Sequence, residues 1–213
     1  PDCATDPGIP AEIAETMSEV PVLFEAAGMG DFIVRELGLP AREPDLSTWR
    51  AMVERIKRPK PILEIALVGK YIELPDAYLS VTEALRHAAW AHEVDAKIRW
   101  MPGPAEQNYK LTPAQLDAAL PGVKVFLFNN PSNPTGMVYT KDEIAALADV
   151  LVKHPECWII TDDIYNRMVF DGIGYHNFVM ARPELRDRVI FMDSCSKTYG
   201  MPGWRIGFVA APE

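Results

Sequence analysis

The chain has 213 residues, 48% of them hydrophobic, and a formal net charge of −9. That length allows one or two domains with a sizeable core, and the acidic balance argues against a nucleic-acid backbone as partner. Its three cysteines, Cys3, Cys157 and Cys195, are widely spaced; they form no metal-ligand pattern and fit a reducing, cytoplasmic compartment. No apolar run approaches the length that spans a bilayer, and no secretory leader is visible.

Residues 1–60 read as a helical segment and linker. Ala11–Met17 has the pattern of a short helix. The apolar clusters Val22-Leu23-Phe24 and Phe32-Ile33-Val34 are separated by Gly28 and Gly30 and closed by Gly38 and Pro40. A longer helix opens at Asp45, with Trp49, Met52, Val53 and Ile56 at helical spacing and Lys57 and Arg58 suited to its C-terminal end. Pro59 and Pro61 then end it. The chain begins at Pro1 and stops just after a strand, so both ends read as cuts through something larger.

Residues 61–101 read as a βαβ unit. Ile62–Gly69 is a buried strand. Ala77–His92 is a helix with Leu79, Val81, Leu85, Ala88 and Ala89 on its apolar side, and Lys97–Met101 is a second strand. His87 and His92 are five apart, which puts them on different faces and makes them surface positions rather than a metal pair. Gly69-Lys70-Tyr71-Ile72-Glu73-Leu74-Pro75-Asp76-Ala77-Tyr78-Leu79-Ser80-Val81-Thr82-Glu83-Ala84-Leu85 resembles the start of the glutaminase domain of CTP synthase. Ser18–Arg58 is similar to the end of that enzyme's synthase domain and its linker, so the resemblance covers about residues 15–100. It implies a glutamine-dependent ligase fragment, in which Lys70, Tyr71, Asp76 and Ser80 could border a glutamine pocket; as strand-end and helix-start residues they are more simply structural. The nucleophilic cysteine on a glycine-flanked elbow that a glutaminase needs has no counterpart in the sequence.

Residues 102–213 change character again. Thr112 and Pro113 open a helix as N-cap and first helical residue. Val123–Phe128 is a strand running into Asn129-Asn130-Pro131-Ser132-Asn133-Pro134-Thr135-Gly136. Thr140 with Glu143 forms a capping box for a helix carrying Ile144, Leu147, Leu151 and Val152. Trp158–Thr161 is a strand that delivers Asp162-Asp163-Ile164-Tyr165, and Val189–Met192 another that delivers Ser194-Cys195-Ser196-Lys197. Phe208–Ala211 closes the pattern. Lys197 therefore sits on a short glycine-bearing connection between two strands expected to be buried, and desolvation there would free its amine for Schiff-base chemistry.

These three ordered motifs, Asn133-Pro134-Thr135-Gly136, Asp162-Asp163-Ile164-Tyr165 and Ser194-Cys195-Ser196-Lys197 with Arg205, resemble those of the fold-type-I, pyridoxal-phosphate-dependent class I aminotransferases over about residues 101–213. The resemblance implies a transferase moving an amino group between an amino acid and a 2-oxo acid. Lys197 would form the Schiff base, Asp162 would pair with the ring nitrogen, and Asn133 and Tyr165 would bond the phenolic oxygen. Ser194, Ser196 and Arg205 would hold the phosphate, and Pro134 would follow a cis peptide. Asp163 is expected at the surface, and Arg167, Tyr199 and Trp204 as scaffold. The intact family works as a homodimer, and its remaining phosphate cradle and substrate-carboxylate clamp would lie before Met101 and after Glu213. The expected fold is α/β, a mostly parallel sheet flanked by helices with a helical N-terminal segment. The chain thus reads as a fusion of two fragments, with no membrane, nucleic-acid or metal partner implied. As a chimera it could also be non-catalytic. If the strands before Asn133, Asp162 and Lys197 are neighbours, strand spacing brings all three to one edge.

Overall fold

The computed structural model describes residues 14–69 and 78–213. It divides into two units, Pro1–Lys60 and Pro61–Glu213. In the first, a 3₁₀ turn at Met17–Glu19 precedes α1 (Val20–Ala26), α2 (Met29–Glu36) and α3 (Ser47–Lys57). Gly28 takes a φ of 80° between α1 and α2, a left-handed turn that glycine adopts without steric cost. Trp49 Nε1 donates to Ser18 O at 2.7 Å, and Lys57 Nζ to Glu19 at 2.5 Å, so α3 folds back on the 3₁₀ turn. Val53 is the buried apolar residue of this unit among those described. Of the expected Ala11–Met17 helix, residues 11–13 lie outside the described residues, as do Lys70, Tyr71 and Asp76; residues 14–16 are not helical, and the 3₁₀ turn starts only at Met17, with Thr16 as its N-cap.

The second unit runs β1 (Ile62–Gly69), α4 (Leu79–Ala91), β2 (Asp95–Pro102), α5 (Pro113–Ala119), β3 (Val125–Asn129), α6 (Lys141–Val152), β4 (Trp158–Asp162), α7 (Phe178–Ala181), β5 (Val189–Ser194), α8 (Cys195–Thr198) and β6 (Gly207–Ala210). The strands form one sheet in the order β2-β1-β3-β4-β5-β6. All neighbours are parallel except β6, which runs antiparallel to β5. Strands from 61–101 and from 102–213 thus share one sheet, with Ile65 to Leu67 of β1 paired to Val125 to Leu127 of β3. The step from β1 to β2 crosses the sheet in one direction and the steps β3 to β4 to β5 in the other. Right-handed crossovers then put α4 and α6 on opposite faces, and the order switches between β1 and β3.

The core lies under the second group of strands. Phe126 and Phe128 of β3, Ile159 of β4 and Val189 of β5 point to one face and meet Leu116 of α5, Ile144, Leu147 and Leu151 of α6, and Phe178 of α7. The Phe128 ring lies 5.0 Å from both Tyr139 and Phe178. Both helices start on complete capping boxes, Thr112 with Gln115 and Thr140 with Glu143. Arg188 gathers the end of α6 by donating to Cys157 O at 2.6 Å, His154 O at 3.1 Å and Leu151 O. Cys157 is fully buried in this core, where burial pushes its thiol up to about 11, so it is packing rather than nucleophile.

Three expectations are corrected here. β6 is exposed at all four positions, Phe208 and Val209 included, because it is the sheet's edge and pairs with β5 alone. The buried residues of α4 are Thr82 and Ala89, while Leu79 is exposed; helical spacing fixes an angle between residues, not which face meets β2. Val123 precedes β3: its N–H closes a turn onto Leu120 O at 2.8 Å.

Candidate active site

The C-terminal ends of the parallel strands define the site, since open α/β sheets bind ligands there, beside the point where strand order reverses. The registers Asn129 with Asp162 and Asp162 with Met192 bring the ends of β3, β4 and β5 level. A cavity of about 700 Å³ opens at this edge. Asn133, Asp162, Tyr165, Lys197 and Arg205 all line it, together with Gly69 at the end of β1 and Tyr78 and Ser80 at the start of α4. An adjoining cavity of about 450 Å³ shares Asp162, Lys197 and Arg205 and is also lined by Ser194 and Ser196. The two serines are therefore brought to the same edge as the other five, but onto the neighbouring hollow.

Each side chain is held by its local chain. Asn129 at the end of β3 donates from Nδ2 to Asp162 O at 2.8 Å and accepts the Asn133 N–H on Oδ1 at 2.9 Å. It ties the loop carrying Asn133 to the strand carrying Asp162. Asn133-Pro134 is cis, as is Asn130-Pro131. Asp162 Oδ1 accepts the Ile164 N–H at 3.3 Å. Burial raises its carboxyl above the ordinary value, the Ile164 bond opposes this, and Asp193 adds to the rise. The Lys197 Nζ lies 5.5 Å above the centre of the Tyr165 ring, within cation–π range. Ser194 Oγ accepts the Ser196 N–H at 3.2 Å, which starts the single turn α8 that carries Lys197. Arg205 stands at a φ of 53° and spends one donor on Pro202 O at 2.9 Å, leaving the rest of its guanidinium fork for a ligand.

Two readings of the sequence change. Lys197 is exposed, so the expected desolvation is absent. Asp163, expected at the surface, is 1% exposed. It turns inward because β4 alternates, so that neighbouring residues take opposite faces. The sequence reading also missed Asn129 and Asn130; an asparagine pair closing an apolar strand was the available signal. Asn130 is buried, accepting the Tyr139 N–H at 3.1 Å and donating to His176 O at 3.2 Å. Among the described residues, no group of three or more His, Cys, Asp or Glu side chains could hold a metal, and no helix is long and apolar enough to cross a membrane.

The family model for aminotransferase class I and II matches residues 91–213, more than half of the chain. The chain belongs to the class I and II aminotransferase family. An aspartate/prephenate aminotransferase of Cereibacter sphaeroides is 49% identical over 108 residues, which is 50% of this chain and 27% of that protein. A CTP synthase of Thermomicrobium roseum is 47% identical over 124 residues, 58% of this chain and 21% of that protein, and the two matches fall largely on different portions of the chain. Among solved structures, the aspartate aminotransferase from Rhizobium meliloti aligns with a TM-score of 0.57 at 27% identity, covering 76% of this chain and 38% of that one. The likeness to the aminotransferase structure thus extends over more of the chain than the family's own sequence pattern does. The chain spans about a quarter of the length of the curated relatives it matches.

Proposed function

We propose that the second unit is the cofactor-holding part of a pyridoxal-phosphate-dependent aminotransferase, which moves an amino group between an amino acid and a 2-oxo acid. The observation that carries this reading is the meeting of Asn133, Asp162, Tyr165, Lys197 and Arg205 on one cavity. The donor set suits the group: an amine for its aldehyde, a carboxylate for its ring nitrogen, an amide and a phenol for its ring oxygen, and a guanidinium with serine hydroxyls for its phosphate. Pyridoxal phosphate, when bound, supplies the aldehyde and an electron-withdrawing ring.

The chain's own residues do the rest. Lys197 Nζ provides the amine and afterwards carries a proton to and from the substrate α-carbon. Asp162, whose carboxyl burial raises, would hold a proton at the ring nitrogen of the bound group, since an opposite charge beside it would favour its ionised form. Asn133 and Tyr165 would donate to the ring oxygen and favour its ionised form. Ser194, Ser196 and Arg205 would bind the phosphate. By the same family argument we assign the enzyme to the cytoplasm and to a homodimer. The test is to add pyridoxal phosphate, reduce with borohydride and map the modified lysine. The label should concentrate on Lys197 and vanish in Lys197→Ala. Label spread evenly over the surface lysines of the unaltered chain overturns the assignment.

A further inference from the structure

Beneath the residues assigned to the cofactor lies a buried polar cluster that none of those roles uses. Asp163 is 1% exposed, and so is Thr161, two residues before it. The Thr161 hydroxyl donates to Asp163 Oδ1 at 2.6 Å, and the Tyr175 hydroxyl donates to Asp163 Oδ2 at 2.5 Å. Asn177 Nδ2 in turn donates to the Tyr175 hydroxyl at 3.2 Å. The loop that brings Tyr175 here makes left-handed turns at Asp171, Gly172 and Gly174, and it is pinned a second time where His176 O accepts from Asn130. A buried carboxylate is costly unless its oxygens are matched, and here each oxygen accepts from a hydroxyl. Asp162 and Asp193 are the acids whose charge bears on it.

The backbone of the same residue controls a turn. The Asp163 N–H donates to Met192 O at 2.9 Å, joining β4 to β5, and Asp163 O accepts the Asn166 N–H at 2.8 Å. Asn166 Nδ2 then reaches Asp193 Oδ2 at 2.6 Å, and Asp193 Oδ1 accepts the Ser194 N–H at 2.6 Å. Tyr165 lies inside this Asp163–Asn166 turn, and its ring lies under Lys197 Nζ. The turn and the Ser194–Lys197 segment are therefore linked by hydrogen bonds that begin at Asp163.

We propose that Asp163 is a positioning residue: its carboxylate, gripped by Thr161 and Tyr175, fixes the turn that sets the Tyr165 ring against Lys197. The importance of that contact for cofactor chemistry rests on the function proposed above, whereas the positioning itself does not. Holding an aromatic ring at one side of an amine needs a rigid support, because a displacement of about 1 Å is enough to misplace reacting groups.

The ligand-free chain tests it. Trace acetylation of all lysines, mapped by mass spectrometry, reports how far each Nζ is covered, with Lys124 and Lys153 as internal references. Tyr165→Leu removes the ring and should raise Lys197 acetylation about two- to fivefold, the worth of an exposed cation–π contact. Asp163→Ala should raise it in the same direction and to a similar extent without changing the references. Asp163→Asn, which keeps a planar hydrogen-bonding group, should restore most of the protection. Where Asp163→Ala fails to fold, Tyr175→Phe, which keeps the ring and loses one hydroxyl, carries the same expectation. Lys197 acetylation unchanged in Asp163→Ala, or in Tyr175→Phe where that variant takes its place, overturns the proposal, as does no response to Tyr165→Leu. Borohydride labelling with pyridoxal phosphate is run beside it. Absence of a Lys197 preference in the unaltered chain defeats the cofactor assignment and leaves the acetylation result to decide Asp163.

Discussion

The two ends of the single sheet are held in different ways. β3, β4 and β5 rest on a core in which Phe126, Phe128, Leu116, Ile144, Leu147, Leu151 and Ile159 are each at most 1% exposed, below helices that begin on full capping boxes. α4 and β2 have less of this, although β1 beside them buries Ile65, Ala66 and Leu67. α4 starts without a side-chain cap and buries Thr82 and Ala89. Of β2, only Met101 is buried. Ion pairs run across the strand pair instead, from Glu64 to Lys97 at 3.1 Å and to Arg99. Arg99 also donates to Ala119 O and to Pro121 O, so it ties β2 to the end of α5. The contrast teaches that β2 and α4 join the sheet mainly through backbone pairing and charge, whereas β1, with Ile65, Ala66 and Leu67 each at most 2% exposed, shares the apolar packing of β3 and β4.

The largest effect should come from the packed end. Phe126→Ala, in the middle of the core, should cost about 3–5 kcal/mol, measured by urea unfolding, and should lower the protection of every strand from hydrogen exchange. If β1 and β2 keep their protection while β3 to β5 lose theirs, the sheet does not unfold as one and the comparison is sharper than the packing alone shows.

pH should separate the two ends next. Burial pushes the Asp163 carboxyl up to about 7, with the Thr161 and Tyr175 bonds opposing and Asp162 and Asp193 adding to the rise. The folded state therefore binds this proton more tightly than the unfolded chain. The stability this group contributes is full below the ordinary carboxylate range and is lost as pH rises through about 7. Over that window the loss is on the order of a few kcal/mol. The urea midpoint should fall between roughly pH 4 and pH 8, and the fall should be shallower in Asp163→Asn. An equal fall in both would mean that another group titrates.

The smallest effect has the opposite sign and belongs to the other end. Lys97 holds the Glu64 carboxyl below its ordinary value, with desolvation opposing and Arg99 assisting. Its contribution is present above the ordinary glutamate range and is lost as pH falls through the depressed value. Acid should therefore loosen the amides of β1 and β2 in hydrogen exchange, and Glu64→Gln should remove that response while already showing the loosened rate at neutral pH. A uniform acid response across all six strands would erase the distinction between the ends.

Much of this was legible in the residues. The strands read at Ile62–Gly69, Trp158–Thr161 and Val189–Met192, the last two of which run one and two residues further in the structure, and the caps at Thr112 and Thr140, are local features: apolar runs, and a hydroxyl that bonds the backbone three residues on. So are the motifs that mark the family, because each stands at the end of its own strand. What the residues could not state is which surfaces meet. Asp163 reads as a solvated acid beside Asp162, and its burial depends on Tyr175 arriving from a loop that turns back twelve residues later. Lys197 reads as covered, and it is exposed on the single turn α8. Thr82, not Leu79, faces inward on α4. In each case the sequence by itself determined the element and the chemistry it carries. Only the tertiary structure decided exposure, because burial belongs to pairs of surfaces, and one member of each pair lies far away along the chain.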